Sequence, residues 1–242
     1  MKLYETIELN ETEKYYEILL NRPHKLNALS PQMSNDLHAA LTKLCNSPAK
    51  ILLIRGAGDS FCSGHDLSTA VDFATVEEAK TELRKLQEIT KMIIDYPAPV
   101  IAALHGYALG AGFEIALNCD LLYAAENTTL GFPELKVGLS ITQGSSFLLP
   151  RLVGLFKAKE LIFYSKQIKA EEAYELGLIN AIYEDEQFLD QVYENIEKLQ
   201  GMSLAFLAEI KKLLNKGMEN SLDGSLQEEV NTLLNLLSEV GG

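Results

Sequence analysis

Short apolar runs alternate with amphipathic segments along the first half of the chain. Residues 15–20 form one apolar run, which ends at an Asn-Arg-Pro turn. Residues 51–54 form a second run without a polar position, which is typical of a strand buried on both faces. Between them, Ser30 and Pro31 have the residue types of an N-cap and a first helical position. Apolar residues then recur at helical spacing, which predicts a helix between the two strands.

The same alternation continues through the middle of the chain. Residues 76–96 have the pattern of a long amphipathic helix, stopped by Pro97 and Pro99. Residues 100–104 and 121–124 are apolar runs that predict two further buried strands. A glycine-rich turn and a helix from about 111 to 118 lie between those strands. The pattern predicts an α/β fold.

From residue 144 onward the pattern is mostly helical. Two apolar stripes stand out near the C-terminus, one of Leu204, Leu207, Ile210, Leu213 and Leu214, the other of Leu222, Leu226, Val230 and Leu233. Such stripes either cap the α/β core or meet a partner. We therefore expect residues 1–190 to form the core with the active site, and residues 191–242 to form a C-terminal helical region.

Composition and charge restrict the classes of partner. The chain has 242 residues and a net charge of −13, which argues against nucleic acid and anionic membranes as partners. No uninterrupted apolar stretch of about 20 residues exists. The three cysteines form neither a disulfide framework nor a metal-ligand spacing. A cytoplasmic protein without a bound metal is the expectation.

The glycine-rich segment 105–114 has the features of a catalytic turn. Its glycines permit a tight turn and close approach by a substrate. The N–H of Ala111, at the start of the following helix, has no intrahelical acceptor and could point at a substrate oxygen. Glu114 lies in the first helical turn, where the helix dipole favours the ionised carboxylate. The alternative is a plain glycine turn with a glutamate that stabilises its helix.

Two further segments complete the candidate chemistry. In the turn 61–67, Gly64 permits an unusual backbone conformation and the N–H of His65 is a second candidate donor. The His65 imidazole is a weaker candidate for a base or metal ligand. Cys62 is interpreted as a small buried thiol. Glu134 follows a Gly-x-Pro turn, where a carboxylate is usually just a solvated turn residue. Together, two N–H donors and two carboxylates suit chemistry through a thioester enolate.

The order and spacing of these segments resemble the crotonase (enoyl-CoA hydratase/isomerase) family. The matching segments are 21–29, 61–67, 105–120, 131–138 and 149–179, so the resemblance covers about residues 4–215. It implies a spiral of ββα units with a C-terminal helical region. It also implies an acyl thioester of coenzyme A as substrate, no separate cofactor, and assembly as a homotrimer or homohexamer.

The resemblance also implies roles for individual residues. Glu114 and Glu134 match the two catalytic glutamates of hydratases, and His65 and Ala111 match the two positions whose backbone N–H groups form the oxyanion hole. Gly110 belongs to the same turn as Ala111. The path of coenzyme A would be lined by Lys25, Leu26, Ser63, Asp66 and Leu67.

Three functions compete at this point. The presence of both glutamates favours hydration of a 2-enoyl-CoA over 3-enoyl to 2-enoyl isomerisation, because isomerisation needs only one carboxylate. Residues 141–145 read Ile-Thr-Gln-Gly-Ser where many hydratases have a Pro-Gly-x-Gly-Gly run, and this difference keeps isomerisation or a related enolate reaction as the alternative. The third possibility, from another class, is a non-catalytic binding or scaffold paralogue.

Overall fold

The computed structural model describes residues 3–69 and 75–240, with side chains as far as residue 237. Within these ranges the chain forms nine strands and nine α-helices. The strands are β1 (Ile7–Glu11), β2 (Tyr15–Leu20), β3 (Ile51–Gly56), β4 (Val100–Leu104), β5 (Tyr107–Leu109), β6 (Leu121–Ala125), β7 (Thr129–Gly131), β8 (Gln167–Lys169) and β9 (Ala181–Tyr183). The helices are α1 (Pro31–Cys45), α2 (Val76–Ile94), α3 (Ala111–Leu117), α4 (Ser145–Val153), α5 (Leu155–Phe163), α6 (Ala170–Glu175), α7 (Phe188–Gln200), α8 (Leu204–Gly217) and α9 (Leu222–Val240).

Two sheets organise these strands. The larger has the order β1-β2-β3-β4-β6-β9, and all of its neighbours are parallel except the antiparallel pair β1 and β2. The smaller has the order β5-β7-β8, with β5 and β7 parallel. The predicted strands at 15–20, 51–54, 100–104 and 121–124 are all present in the larger sheet.

A repeating unit of long strand, short strand and helix winds the chain into a spiral. One turn is β4, β5 and α3, and the next is β6, β7 and α4. The earlier turns contribute single bridges instead of short strands: Leu29 pairs with His65, and Cys62 pairs with Ala108. The fold is therefore the crotonase-like α/β spiral with a helical C-terminal region that the resemblance implied.

The central strands are apolar throughout because both faces of the larger sheet are covered. Leu52 and Ile54 face the core between the two sheets, whereas Ile51 and Leu53 face the opposite side. That opposite side is covered by α7 through Phe188, Val192 and Ile196. The division expected after residue 190 would cut α7, so we now place it, as a proposal, after residue 200.

The ends of the predicted helices follow local chemistry. The Ser30 hydroxyl accepts a hydrogen bond from the N–H of Met33 and caps α1, with Pro31 at the first position, as predicted. The Thr75 hydroxyl caps α2 in the same way by accepting from the N–H of Glu78. Helix α2 ends at Ile94, two residues before the predicted end, and the Pro97 turn follows.

A buried lysine ties the C-terminal region to the core. Lys211 on α8 is 8% exposed, and its ammonium group contacts the Asp120 carboxylate at 2.8 Å. It also donates to the carbonyl oxygens of Ile93 and Ala98 at 3.2 and 3.3 Å. The apolar residues of α9 face outward for the most part, with Leu222, Leu226, Val230, Leu233, Leu234 and Leu237 between 49% and 74% exposed.

Candidate active site

Two turns of the spiral run side by side and bring the predicted N–H donors together. The N–H of Cys62 donates to the carbonyl of Tyr107 at 2.9 Å, and the N–H of Leu109 donates to the carbonyl of Cys62 at 2.9 Å. His65 and Ala111 each lie three residues beyond this parallel bridge, so they occupy equivalent positions on the two segments.

Glycine is required where these turns approach each other. Gly64 has φ +100° and Gly110 has φ +52°, both in the region that favours glycine. A Cβ atom on Gly64 would lie 3.0 Å from the carbonyl oxygen of Leu109, an unusually tight contact. A Cβ atom on Gly110 would also lie 3.1 Å from Oε1 of Glu134. The two glycines therefore allow the two turns and the Glu134 carboxylate to pack closely together.

The backbone N–H groups of His65 and Ala111 have no acceptor within residues 3–69 and 75–240. Ala111 is the first residue of α3, so an intrahelical acceptor is lacking by geometry. The peptide of His65 is held by its neighbours, since the N–H of Leu29 donates to Gly64 and the N–H of Asp66 donates to Leu29. The two unpaired donors agree with the expected oxyanion hole, which stays a prediction.

The imidazole of His65 is half-buried. Its burial lowers the pKa of the ring, and the nearby Glu82 carboxylate opposes this shift. The ring lines a cavity of about 320 Å³ between α2 and residues 138–142. Most of the cavity wall is apolar, with contributions from Leu29, Leu83, Leu86 and Leu139. A cavity of this kind beside the donor pair suits an acyl chain.

Glu114 is 1% exposed and fully engaged in hydrogen bonds. The N–H of Thr142 donates to both carboxylate oxygens at 3.1 Å, and the N–H of Gln143 donates to Oε1 at 3.1 Å. Burial raises the pKa of Glu114, and these donors oppose the rise. The charge of Glu114 is thus supported by the 142–143 backbone, beside the expected contribution of its own helix dipole.

Glu134 lies in a different environment, although it is equally buried at 4% exposure. Neither of its carboxylate oxygens has a hydrogen-bond partner among the described residues. Burial raises its pKa to about 7, and the negative charge of Glu114 adds to this effect. The sequence-based alternative of a solvated turn residue is wrong for Glu134.

Glu114 and Glu134 therefore differ in the hydrogen-bond donors that surround their carboxyl groups. One is held by N–H donors, which favour its ionised form, while the other lacks donors, which favours its protonated form. Two carboxyl groups whose surroundings separate their pKa values are a common basis for assigning a base and an acid.

The residues expected along the coenzyme A path lie next to this site. The N–H of Ser63 donates to the carbonyl of Leu26 at 3.0 Å, which joins the 25–29 and 61–67 segments. Lys25, Leu26 and Leu67 are exposed beside that junction. The structure thus brings Lys25, Leu26, Ser63 and Leu67 together.

Asp66 lies at the same junction, but its carboxylate is already occupied. It accepts from the N–H and hydroxyl of Ser68 at 3.1 and 2.5 Å, and from the guanidinium of Arg22 at 2.8 Å. Ser68 and then Arg22 hold the pKa of Asp66 below its usual range. Its carboxylate therefore braces the turn that carries His65, and the expected position of Asp66 on the coenzyme A path stays a prediction.

Sequence reasoning missed several residues of the site. Arg22 counts in the sequence only as part of a turn motif. An arginine at such a turn could have indicated an ion pair with a nearby carboxylate, which is Asp66 in the structure. Thr142 and Gln143 lie in the segment noted as unusual, but they act through backbone N–H groups that any residue except proline provides. No sequence pattern marks Asn118, whose amide contacts the Gln143 carbonyl.

Other candidate chemistry is weaker. Cys62 is fully buried, and burial raises the pKa of its thiol to about 11, as expected for a structural thiol. Within residues 3–69 and 75–240, no cluster of three His, Cys, Asp or Glu side chains is suited to a metal ion. None of the helices in this part of the chain is both long and apolar enough to cross a bilayer.

Comparison with known proteins agrees with this geometry. The sequence model of the Enoyl-CoA hydratase/isomerase family matches residues 11–240. A crotonyl-CoA hydratase from Syntrophomonas wolfei is 34% identical over 229 residues, which are 93% of this chain and 87% of the relative.

Solved structures give the same result. An enoyl-CoA hydratase from Bacillus anthracis superposes with a TM-score of 0.91 at 30% identity, covering 97% of this chain and 92% of the other. A Thermobifida fusca protein solved in complex with CoA superposes with a TM-score of 0.89 at 26% identity, covering 98% and 94%. The chain belongs to the enoyl-CoA hydratase/isomerase family of enzymes.

Proposed function

We propose that this enzyme hydrates the 2,3 double bond of a 2-enoyl-CoA thioester. The observation that carries the proposal is the pair of buried carboxylates with unlike surroundings, Glu114 held by two N–H donors and Glu134 by none. Hydration needs a base for water at C3 and an acid for C2, which is the division of roles that these surroundings favour.

The reaction follows from the proposed roles. The thioester carbonyl oxygen accepts hydrogen bonds from the N–H groups of His65 and Ala111, which stabilise the enolate. The ionised Glu114 takes a proton from water as the water oxygen bonds to C3. The protonated Glu134 then delivers its proton to C2 of the enolate. Water is split between C3 and C2, and a proton returns from Glu114 to Glu134 to reset the pair.

Isomerisation of a 3-enoyl-CoA is the alternative within the same family. Glu134 has no fixed hydrogen-bond partner among the described residues, and burial raises its pKa to about 7. Such a carboxyl group suits a shuttle that removes a proton from C2 and returns it to C4. In that reaction Glu114 would have no transfer to perform.

A non-catalytic paralogue is the least supported possibility. A buried carboxyl group without partners reduces stability. A binding protein gains nothing from keeping Glu134 in this position, whereas an acid catalyst needs it there.

The remaining roles belong to the same proposal. The entry for coenzyme A is lined by Lys25, Leu26, Ser63, Asp66 and Leu67, and Gly110 lets the thioester approach Ala111. The T. fusca relative solved with CoA supports this type of ligand. We also propose a homotrimer or homohexamer located in the cytoplasm.

A substrate panel tests the proposal. Purified protein is incubated with matched 2-enoyl-CoA and 3-enoyl-CoA thioesters, and products are identified by mass. A mass gain of one water with the 2-enoyl series supports hydration. Double-bond migration without a mass change favours isomerisation, and the absence of turnover across the panel contradicts both enzymatic roles.

A further inference from the structure

Asn118 occupies a position at the end of α3 that links two parts of the site. Its side-chain amide nitrogen donates to the carbonyl oxygen of Glu114 at 2.9 Å and to the carbonyl oxygen of Gln143 at 3.0 Å. The residue is 4% exposed. It therefore joins the helix that carries Glu114 to the segment 141–145 that surrounds the carboxylate.

The orientation of the Asn118 amide is determined by these two contacts. Both neighbours are carbonyl oxygens, which accept hydrogen bonds and cannot donate them. The opposite orientation would place Oδ1 against two oxygens. The amide nitrogen also donates to the Thr90 hydroxyl oxygen at 3.3 Å, and this hydroxyl in turn donates to the Gln143 carbonyl at 3.4 Å.

Fixing the Gln143 carbonyl also fixes the peptides on either side of it. The N–H groups of Thr142 and Gln143 lie at 3.1 Å from the Glu114 carboxylate. Immediately afterwards the chain turns at Gly144, which has φ +91° and precedes α4. Asn118 holds this short segment from one side while the Glu114 carboxylate holds it from the other.

We propose that Asn118 is a positioning residue, which keeps the N–H groups of Thr142 and Gln143 directed at the Glu114 carboxylate. The inference rests on the proposed role of Glu114 as the base of hydration. It adds the residue that follows the last turn of α3 to those that support the candidate base.

The electrostatic consequence follows from the groups that face Glu114. Among the described residues, Glu134 is the charged group that interacts with it. Helix α2 presents the neutral Thr90, and the segment 141–145 contributes the neutral polar side chains of Thr142, Gln143 and Ser145. The N–H donors therefore provide the main stabilisation of the ionised carboxylate. If they are displaced, the pKa of Glu114 rises, and the acidic limb of the pH profile moves to higher pH.

Asn118→Ser tests the link directly. A serine hydroxyl reaches the carbonyl four residues earlier on its own helix but is too short to reach Gln143 as well. We expect kcat for hydration to fall roughly tenfold, and the acidic limb of kcat/KM to move up by about one pH unit. KM should change by no more than about threefold, since the thioester contacts remain. Asn118→Leu, which has a similar shape and no donor, should give the same shift.

Asn195 on α7 provides a matched control. Its amide also donates to the carbonyl four residues earlier, at 2.7 Å from Gln191, and bridges to the Tyr183 hydroxyl at 2.8 Å. Asn195→Ser removes the same kind of bridge away from the site, so it should change thermal stability without moving the pH profile.

The outcomes separate this inference from the proposed function. An unchanged pH profile in both folded Asn118 variants, while Glu114→Gln abolishes hydration, overturns the role of Asn118 and leaves the function intact. Full hydration by Glu114→Gln would overturn the function itself. Both Asn118 variants are assayed at a temperature below their melting points, so that the pH profile is read from folded protein.

Discussion

At the scale of single residues, the glutamate pair is the most informative feature. Glu114→Gln and Glu134→Gln each keep the side-chain shape and remove proton transfer. Each should lower kcat for 2-enoyl-CoA hydration by about 10²–10⁴-fold and leave thioester binding nearly unchanged. The double variant should lose far less than the product of the two, because the pair acts as a unit. Steady-state kinetics and a binding measurement check this, and near-normal hydration by either single variant would contradict the two-carboxylate mechanism.

The raised pKa of Glu134 also predicts a dependence of stability on pH. The pKa of Glu134 is about 7 in the folded protein, whereas a solvated glutamate, as in the unfolded chain, has a pKa of 4.5. Folding therefore favours the protonated form. The folded protein therefore loses stability as pH rises from about 4.5 to about 7. Glu134→Gln avoids burying this charge and should be more stable than the wild type at pH 8 by about 3 kcal/mol.

Chemical denaturation at two pH values measures this effect. At pH 4.5 the two proteins should differ little, and the gap should open as pH rises. Glu160→Gln is a control of opposite sign, because Lys157 and Lys166 hold the pKa of this solvated carboxyl below its usual range, so its loss should not stabilise the protein at pH 8. A gap that is equal at both pH values would mean that the charge of Glu134 is not the cause.

The His65 position distinguishes a side-chain role from a backbone role. His65→Ala retains the N–H and should keep most of the activity. His65→Pro removes the N–H and should lower kcat on the order of 100-fold or more. Kinetics of both variants, with circular dichroism to verify folding, give the answer. A folded but inactive alanine variant would instead make the imidazole a catalytic group.

At the scale of secondary structure, Lys211 determines how α8 is held. Lys211→Met leaves the carboxylate of Asp120 and two carbonyl oxygens without their cation. Because a buried charge then lacks its partner, we expect a loss of about 3 kcal/mol in the free energy of unfolding.

The neighbouring Lys212 is a matched control, since its ammonium group is exposed and pairs with Glu209 one turn earlier. Lys212→Met should cost less than about 0.5 kcal/mol. Adding Asp120→Asn to Lys211→Met should recover part of the lost stability, and a Lys211→Met cost as small as that of Lys212→Met would show that the pair does not fix α8.

Most of the larger sheet could be predicted from the sequence, but the smaller sheet could not. Strands such as residues 51–54 are apolar because both of their faces are buried, and this leaves a clear pattern. Strands β5, β7, β8 and β9 have three residues each, too few to show a periodicity. Strand β1 lies at an edge and carries Glu8, Asn10 and Glu11, so its pattern is weak.

Some residues of the candidate site could likewise be predicted from the sequence, and others could not. Glu114, Glu134 and the two glycine turns could be found because side-chain type or glycine content marks them. The donors at Thr142 and Gln143 could not, because a backbone N–H is present in nearly every residue and only the fold directs it. The contact between Asn118 and Gln143 depends on packing between α3 and a distant segment, which no local pattern records.

At the scale of the whole molecule, the outward apolar face of α9 predicts self-association. Leu226 and Leu233 lie on this face together with four more apolar residues. Contiguous apolar surface of this kind usually marks an interface. Light scattering at micromolar concentration should give three or six subunits, and Leu226→Glu combined with Leu233→Glu should reduce the assembled fraction.

Leu3→Glu is the control for added charge, because Leu3 is an exposed leucine away from α9. It should leave the assembly unchanged. A wild-type protein that is monomeric at micromolar concentration, or assembly that is unaffected by the double change on α9, would contradict this assignment of the interface.

The placement of the thioester donors on the main chain has an evolutionary consequence. The groups expected to hold the carbonyl belong to the peptides of His65 and Ala111, whereas side chains such as Leu83, Leu86 and Leu139 line the acyl cavity. Substitution in the second set alters which acyl groups fit without removing the first. Proteins that descend from this enzyme can therefore come to accept different acyl groups while keeping the same thioester-binding N–H groups. Selection can change acyl specificity through the side chains without changing the main-chain donors.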